Sequence, residues 1–175
     1  MKNLTKNLEL LYSPAEIQNR VSAMGKSISE KFDAKDPIFI GVLNGSFMFM
    51  ADLLRAVTIE CEMDFIKVRS YSGKNSSGTI QLIKDISADV TDRNVILVED
   101  IIDTGMTLSY LKQHLISKNT NSLQICTLLD KKVRRLVDTE IRYIGFEVPD
   151  EFLVGYGLDY NEKYRNLPFI GILKT

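Results

Sequence analysis

The segment Val95-Ile-Leu-Val-Glu99-Asp100-Ile-Ile-Asp103-Thr104-Gly105-Met106-Thr107 concentrates the side chains that could do chemistry. Its four leading apolar residues read as a short buried strand, and two adjacent carboxylates and an Asp-Thr-Gly-x-Thr turn follow where that strand should end. In open α/β sheets ligands bind beyond the carboxyl ends of the strands, and a glycine turn opening a helix aims unpaired backbone N–H groups at an anion. The hydroxyls of Thr104 and Thr107 add donors for the same oxygens. Glu99 and Asp100 would repel a bare phosphate, so they suit sugar hydroxyls or a hard cation such as Mg²⁺. The plainer alternative is a polar loop and a helix N-cap with no ligand at all.

Two other places could serve the same end of the sheet. Leu43-Asn44-Gly45-Ser46 closes an apolar strand and precedes a helix, so Gly45 lets backbone amides approach an anion closely. Lys131, just after the strand-like run Cys126 to Asp130, has Lys132, Arg134 and Arg135 behind it. A structural turn and a solvated basic turn are the corresponding alternatives.

The elements that must position these groups are legible in outline. Ser13-Pro14-Ala15-Glu16 has the form of a capping box, and Ile17, Val21, Met24 and Ile28 then recur at helical spacing, predicting a helix to about Lys31. Ile38 to Leu43 reads as a buried strand and Phe47 to about Arg55 as a helix. Thr58 to Val68 alternates, with Ile59, Cys61, Met63 and Phe65 on one face, and Thr79 to Ile86 resumes strand character. The Gly/Ser-rich stretch from Ser72 to Gly78 between them predicts a hairpin with a long mobile tip. Leu108, Leu111, Leu115 and Ile116 mark a further helix carrying the lone histidine, His114, expected at the surface. Leu123 to Leu129, Tyr143 to Val148 and Phe169 to Leu173 complete the strands. Strands alternating with helices predict an α/β fold with a mainly parallel twisted sheet and helices on both faces.

Composition narrows the function. With 175 residues and a net charge of −1, one domain is expected and no global basic field exists to attract nucleic acid or an acidic membrane. Cys61 and Cys126 lie far apart in apolar or alternating segments and read as free thiols of a reducing compartment. The first residues lack the apolar core of a signal peptide, and no run approaches the ~20 residues of a membrane span, so a cytoplasmic protein is expected.

The order strand, two acids, Thr-Gly loop resembles the phosphoribosyl-pyrophosphate signature of the type I phosphoribosyltransferases. Gly145 to Pro168, Gly-Phe-Glu-Val-Pro-Asp-Glu-Phe-Leu-Val-Gly-Tyr-Gly-Leu-Asp-Tyr-Asn-Glu-Lys-Tyr-Arg-Asn-Leu-Pro, closely resembles the purine pocket and hood of the hypoxanthine-guanine phosphoribosyltransferases. With Leu-Asn-Gly-Ser, Ser70-Tyr71 and Leu-Leu-Asp-Lys131, the match runs in order across nearly the whole chain.

The resemblance implies a single domain over 1–175, with a core at roughly 35–145, a hood from the N-terminal residues and 146–175, and a flexible hairpin lid. It implies transfer of the 5-phosphoribosyl group from phosphoribosyl pyrophosphate to hypoxanthine or guanine, giving IMP or GMP, with Mg²⁺. Glu99 and Asp100 would hold the ribose hydroxyls and, with Asp159, the metal. Asp103, Thr104, Gly105, Met106 and Thr107 would wrap the 5′-phosphate, with Asp103 also taking the purine N7 proton. Leu43, Asn44 and Gly45 would receive pyrophosphate, with Arg135 and Arg165 assisting. Lys131 would donate to the purine O6, Phe152 would stack on the base, the Leu153 backbone would pair with its edge, and Ser70 and Tyr71 would close the site. Asn44 stands where many family members carry Lys or Arg, and Met106 where some carry Lys, departures that would weaken donor binding. Asp159 and Arg165 could alternatively pair with each other. A homodimer or homotetramer is expected from apolar residues exposed along Phe47 to Leu54. The rivals are the same reaction with xanthine as principal substrate, and a phosphoribosyl-pyrophosphate sensor on the same fold with nucleic acid as partner. The latter should carry a winged-helix segment or a broad basic face, and the sequence contains neither.

Overall fold

The computed structural model describes residues 7–70 and 80–174. Its elements are β1 (Leu8–Tyr12), α1 (Pro14–Phe32), β2 (Ile38–Leu43), α2 (Phe47–Ala56), β3 (Glu62–Ser70), β4 (Ile80–Lys84), β5 (Asn94–Ile102), α3 (Met106–Ile116), β6 (Ser122–Asp130), β7 (Tyr143–Glu147), β8 (Leu153–Val154) and β9 (Ile170–Leu173), with a 3₁₀ turn at Lys132–Arg134. The main sheet has the order β4-β3-β2-β5-β6-β7. Every pairing in it is parallel except β3 with β4 at one edge. A second sheet, β1-β9-β8, is antiparallel and forms the hood.

Side chains alternate across the sheet, so two cores form. Phe39, Ile96, Val98, Cys126 and Leu128 point toward α1 and α2, whereas Ile38, Ile40, Val95, Leu97 and Ile125 point toward α3. The expectation of helices on both faces is met. The capping box is formed, with Ser13 N donating to Glu16 Oε2 at 2.8 Å and Glu16 N to Ser13 Oγ at 3.3 Å. Both cysteines are free, and burial pushes the Cys126 thiol up. No helix among the described residues is long and apolar enough to cross a membrane.

Several expectations need correction. The strand starts later than Thr58, at Glu62; on the face the pattern marks, Ile59, Cys61 and Phe65 pack on the core toward α1 and α2, whereas Met63 is 47% exposed and Ile66, on the opposite face, is fully buried. Beyond Asp64 both faces of β3 meet a core, Phe65 the one toward α1 and α2, and Ile66 and Val68 the one toward α3. In α2, Phe49, Met50 and Leu53 are buried and Phe47 is the exposed large apolar residue, so the exposed stripe expected there is mostly packed inward. His114 is not a free surface group. Its Nε2 lies 2.9 Å from Asp85 Oδ1, and Lys118 Nζ donates to Asp85 Oδ2 at 2.9 Å, tying α3 to the segment after β4. Burial works against ionisation of Asp85, but these partners outweigh it and hold the carboxyl at about 2. The expected mobile tip and Tyr71 lie outside the described residues.

Candidate active site

β5 does not stop before its acids: it runs through Glu99 and Asp100 to Ile102. Within those last residues the inside-outside alternation slips by one, since Val98 and Ile101 both pack toward α1 and α2 while Ile102 packs toward α3. Glu99 ends up buried, with its Oε2 lacking a hydrogen-bond partner. Burial, then the neighbouring Asp100 charge, push Glu99 well above the usual carboxylate range. Asp100 stands against the Gly45 turn, where a β-carbon on Gly45 would lie 1.7 Å from Asp100 Oδ2. Burial pushes its carboxyl up to about 6, opposed by backbone hydrogen bonds and Arg165 and reinforced by Asp159.

Gly105 enters α3 with φ +82°, a left-handed conformation, and a β-carbon there would lie 2.7 Å from Val137 O. Glu99, Ile101, Ile102, Asp103, Thr104, Gly105, Thr107 and Leu108 line a hollow of about 100 Å³ at this turn. It combines a helix N-terminus with two hydroxyls, the arrangement that receives a phosphate. The turn is braced from behind: Leu136 N and Val137 N donate to Thr104 O, and Arg135 Nε donates to Asp103 O at 3.1 Å. Arg135 also pairs with the buried Asp130, so its guanidinium holds the loop from behind and does not line the hollow. That bracing pair was not visible in the sequence, although Asp130 stands next to Lys131 at the strand end.

Lys131 N donates to Ile102 O at 3.0 Å, which sets Lys131 beside the Asp103 loop. Its ammonium is buried and donates to Glu151 O at 2.8 Å, with Asp150 Oδ1 at 3.8 Å. The next residue, Phe152, is 49% exposed and meets Tyr160 edge to face at 5.5 Å between ring centroids. Leu153 is buried in β8. Below this segment Gly157, at φ +102°, packs so closely on the Gly45 turn that a β-carbon would lie 2.0 Å from Gly45 O. The Leu43–Asn44 peptide is cis, and Asn44 is exposed. Met106 is exposed at the first turn of α3. The hood is pinned to α2 by Tyr156, whose hydroxyl donates to Asp52 Oδ2 at 2.6 Å, a contact with no signal in residue spacing.

Asp159 and Arg165 pair with each other at 2.8 Å, and Arg165 also donates to Gly157 O at 2.8 Å. The structure therefore brings Glu99, Asp100, Asp103 to Thr107, Gly45, Lys131, Phe152, Leu153 and the Asp159–Arg165 pair to one end of the sheet. Ser70 closes β3, and of Tyr71 nothing is described. Glu99, Asp100 and Asp159 do not form a metal-binding group by themselves, and no cluster of three or more His, Cys, Asp or Glu suited to a metal exists among the described residues.

Comparison with known proteins agrees with this geometry. Residues 8–161 match the model of the phosphoribosyl transferase domain. The chain is 46% identical over 167 residues to the hypoxanthine-guanine phosphoribosyltransferase of Staphylococcus epidermidis, covering 95% of this chain and 93% of that one. It is 47% identical over 167 residues to the bifunctional protein TilS/HprT of Listeria monocytogenes, covering 95% of this chain but only 26% of that protein. A crystal structure of the hypoxanthine phosphoribosyltransferase of Staphylococcus aureus superposes with a TM-score of 0.95 at 43% identity, covering 98% of this chain and 95% of that one. A buried Glu99 beside Asp100, a glycine-entered turn opening α3 and a hood segment against a buried lysine are thus found in a chain that belongs to the phosphoribosyltransferase family, among its hypoxanthine-guanine members.

Proposed function

We propose that the chain transfers the 5-phosphoribosyl group from phosphoribosyl pyrophosphate to N9 of hypoxanthine or guanine, releasing pyrophosphate and giving IMP or GMP. One observation carries the choice of base: a buried ammonium, Lys131, held at the mouth of the site next to an exposed aromatic, Phe152. Lysine has donors and no acceptor, so it meets the O6 of hypoxanthine and guanine and finds no acceptor on the 6-amino group of adenine. A site built on such a bond rejects the analogue that lacks it.

In this reading the amides and hydroxyls from Thr104 to Thr107 hold the 5′-phosphate, and the Gly45 turn with Arg165 receives the diphosphate. Phe152 stacks on the purine and the backbone at Leu153 meets its edge. The C1′–O bond to pyrophosphate breaks as the N9–C1′ bond forms, and the proton on N7 passes to the Asp103 carboxylate. Fixing the donor at several anion sites supplies orientation and charge complementarity, the main sources of acceleration. A buried Glu99 with an orphaned oxygen, next to Asp100, fits a hard cation completed by ligand oxygens. Glu99 and Asp100 would hold Mg²⁺ together with the ribose hydroxyls, after the Asp159–Arg165 pair has released Asp159 to assist. The ion would neutralise charge on the departing pyrophosphate.

The test is turnover of the purified protein with phosphoribosyl pyrophosphate and Mg²⁺, followed spectrophotometrically with hypoxanthine, guanine, xanthine and adenine offered separately. Conversion of the first two with adenine inert is the expected result. Xanthine converted far faster than either would move the assignment to that base. No turnover despite donor binding would support the sensor alternative instead.

A further inference from the structure

We infer that Arg134 is a positioning residue, fixing the Asp103 carboxylate and linking it through Asp150 to the hood segment that carries Phe152. The inference rests on the phosphoribosyl-transfer reading above. Two consecutive arginines leave the 3₁₀ turn after β6 in different directions. Arg135 is turned inward onto Asp130 and the backbone at Ile102 and Asp103. Arg134 lies outside and spans two carboxylates, with Nη1 3.5 Å from Asp103 Oδ2 and Nε 3.2 Å from Asp150 Oδ1. Asp150 Oδ1 is in turn 3.8 Å from Lys131 Nζ.

Four charges therefore alternate in sign: Asp103, Arg134, Asp150, Lys131. The two ends of this chain are the groups that would address N7 and O6 of the same purine. Asp103 Oδ1 has no hydrogen-bond partner, and Arg134 is the cation in ion-pair contact with the side chain among the described residues. Arg134 is thus what sets the carboxylate's rotation about its side-chain bonds. A half-exposed arginine whose two carboxylate partners are themselves partly exposed contributes little to stability, so the role lies in geometry. Misplacing a proton acceptor by a fraction of an ångström lowers the share of productive encounters, because proton transfer needs a short, aligned hydrogen bond.

The test is steady-state kinetics of R134M, R134K, D150N and the double variant R134M/D150N, with hypoxanthine and phosphoribosyl pyrophosphate each varied. R134M should lower kcat about tenfold while leaving KM for phosphoribosyl pyrophosphate within about twofold, since the phosphate turn is braced by Arg135. R134K should restore part of the loss, because lysine reaches one carboxylate and not both. The double variant should be no slower than R134M, since Asp150 acts on Asp103 through Arg134. Wild-type kcat in R134M, or losses that multiply in the double variant, would overturn the inference. An active parent with an unaffected R134M overturns this inference alone. An inactive parent overturns the transfer reading beneath it as well.

Discussion

An ammonium group has three N–H donors, and at Lys131 one is committed to the Glu151 carbonyl, which leaves the rest for a ligand. Lys131→Ala should therefore lower kcat/KM for hypoxanthine about 100-fold through loss of a charge-assisted hydrogen bond, with KM for the donor little changed, as substrate-varied initial rates would report. Asp103→Asn keeps the shape and removes the proton acceptor. Its kcat should fall by about 100-fold or more while donor affinity from titration calorimetry stays near wild type; near-full turnover would make Asp103 a helix cap only. Asp100 offers a test with a pH sign. Its folded-state pKa, about 6, lies above the ordinary 3.8, so the folded chain binds this proton more tightly than the unfolded chain. The contribution of Asp100 to the stability of the unbound protein is then fully present below about pH 4 and is lost as pH rises through about 6. Asp100→Asn should raise the thermal midpoint of the ligand-free protein at pH 7.5, by about 2–4 °C, while abolishing Mg²⁺-dependent donor binding. The acids and the Thr-Gly turn were legible because they are contiguous. The pairing of Arg135 with Asp130 was not legible, because it is set by the intervening turn and not by spacing. Of the two sequence readings of Asp159 and Arg165, their mutual pairing is the one the structure shows.

Among the elements, the parallel strands and α1 could be read directly: β2 has the bounds its apolar run predicts, and the capping box fixes where α1 begins. β1 and β8 could not, because they are short and gain their order from pairing with β9 at the far end of the chain. The burial of β3 was misread for a related reason. Alternation reveals one solvated face only where the strand has one, and beyond Asp64 β3 has a core on each side. The hood is held to the Gly45 turn by backbone contact at Gly157, where no flexible side chain can give way. Gly157→Ala meets both a left-handed φ and that contact. It should cost about 1–3 kcal/mol in chemical denaturation and raise KM for phosphoribosyl pyrophosphate. Unchanged values would mean that hood and turn move apart freely.

At the scale of the molecule, two cores on opposite faces of one six-stranded sheet make the strand ends a fixed platform, and the site's anion-binding capacity is local, since the whole chain carries a net charge of −1. The composition made that local character legible. We propose that the chain is one domain and works as a homodimer or homotetramer. The apolar residues exposed at Phe47, Met63 and Ile83 are the surface from which such contacts would be built. Size-exclusion chromatography with light scattering should give a multiple of 19.9 kDa, and a strict monomer at working concentration would remove the proposal. The central claim is that one purine nucleotide spans the Thr104–Thr107 turn and Lys131. A crystal structure of the protein with GMP tests it most directly. The account predicts the 5′-phosphate on the amides of that turn, Lys131 Nζ at hydrogen-bond distance from O6 and Asp103 beside N7. A nucleotide bound with its phosphate elsewhere, or with O6 turned away from Lys131, would contradict it.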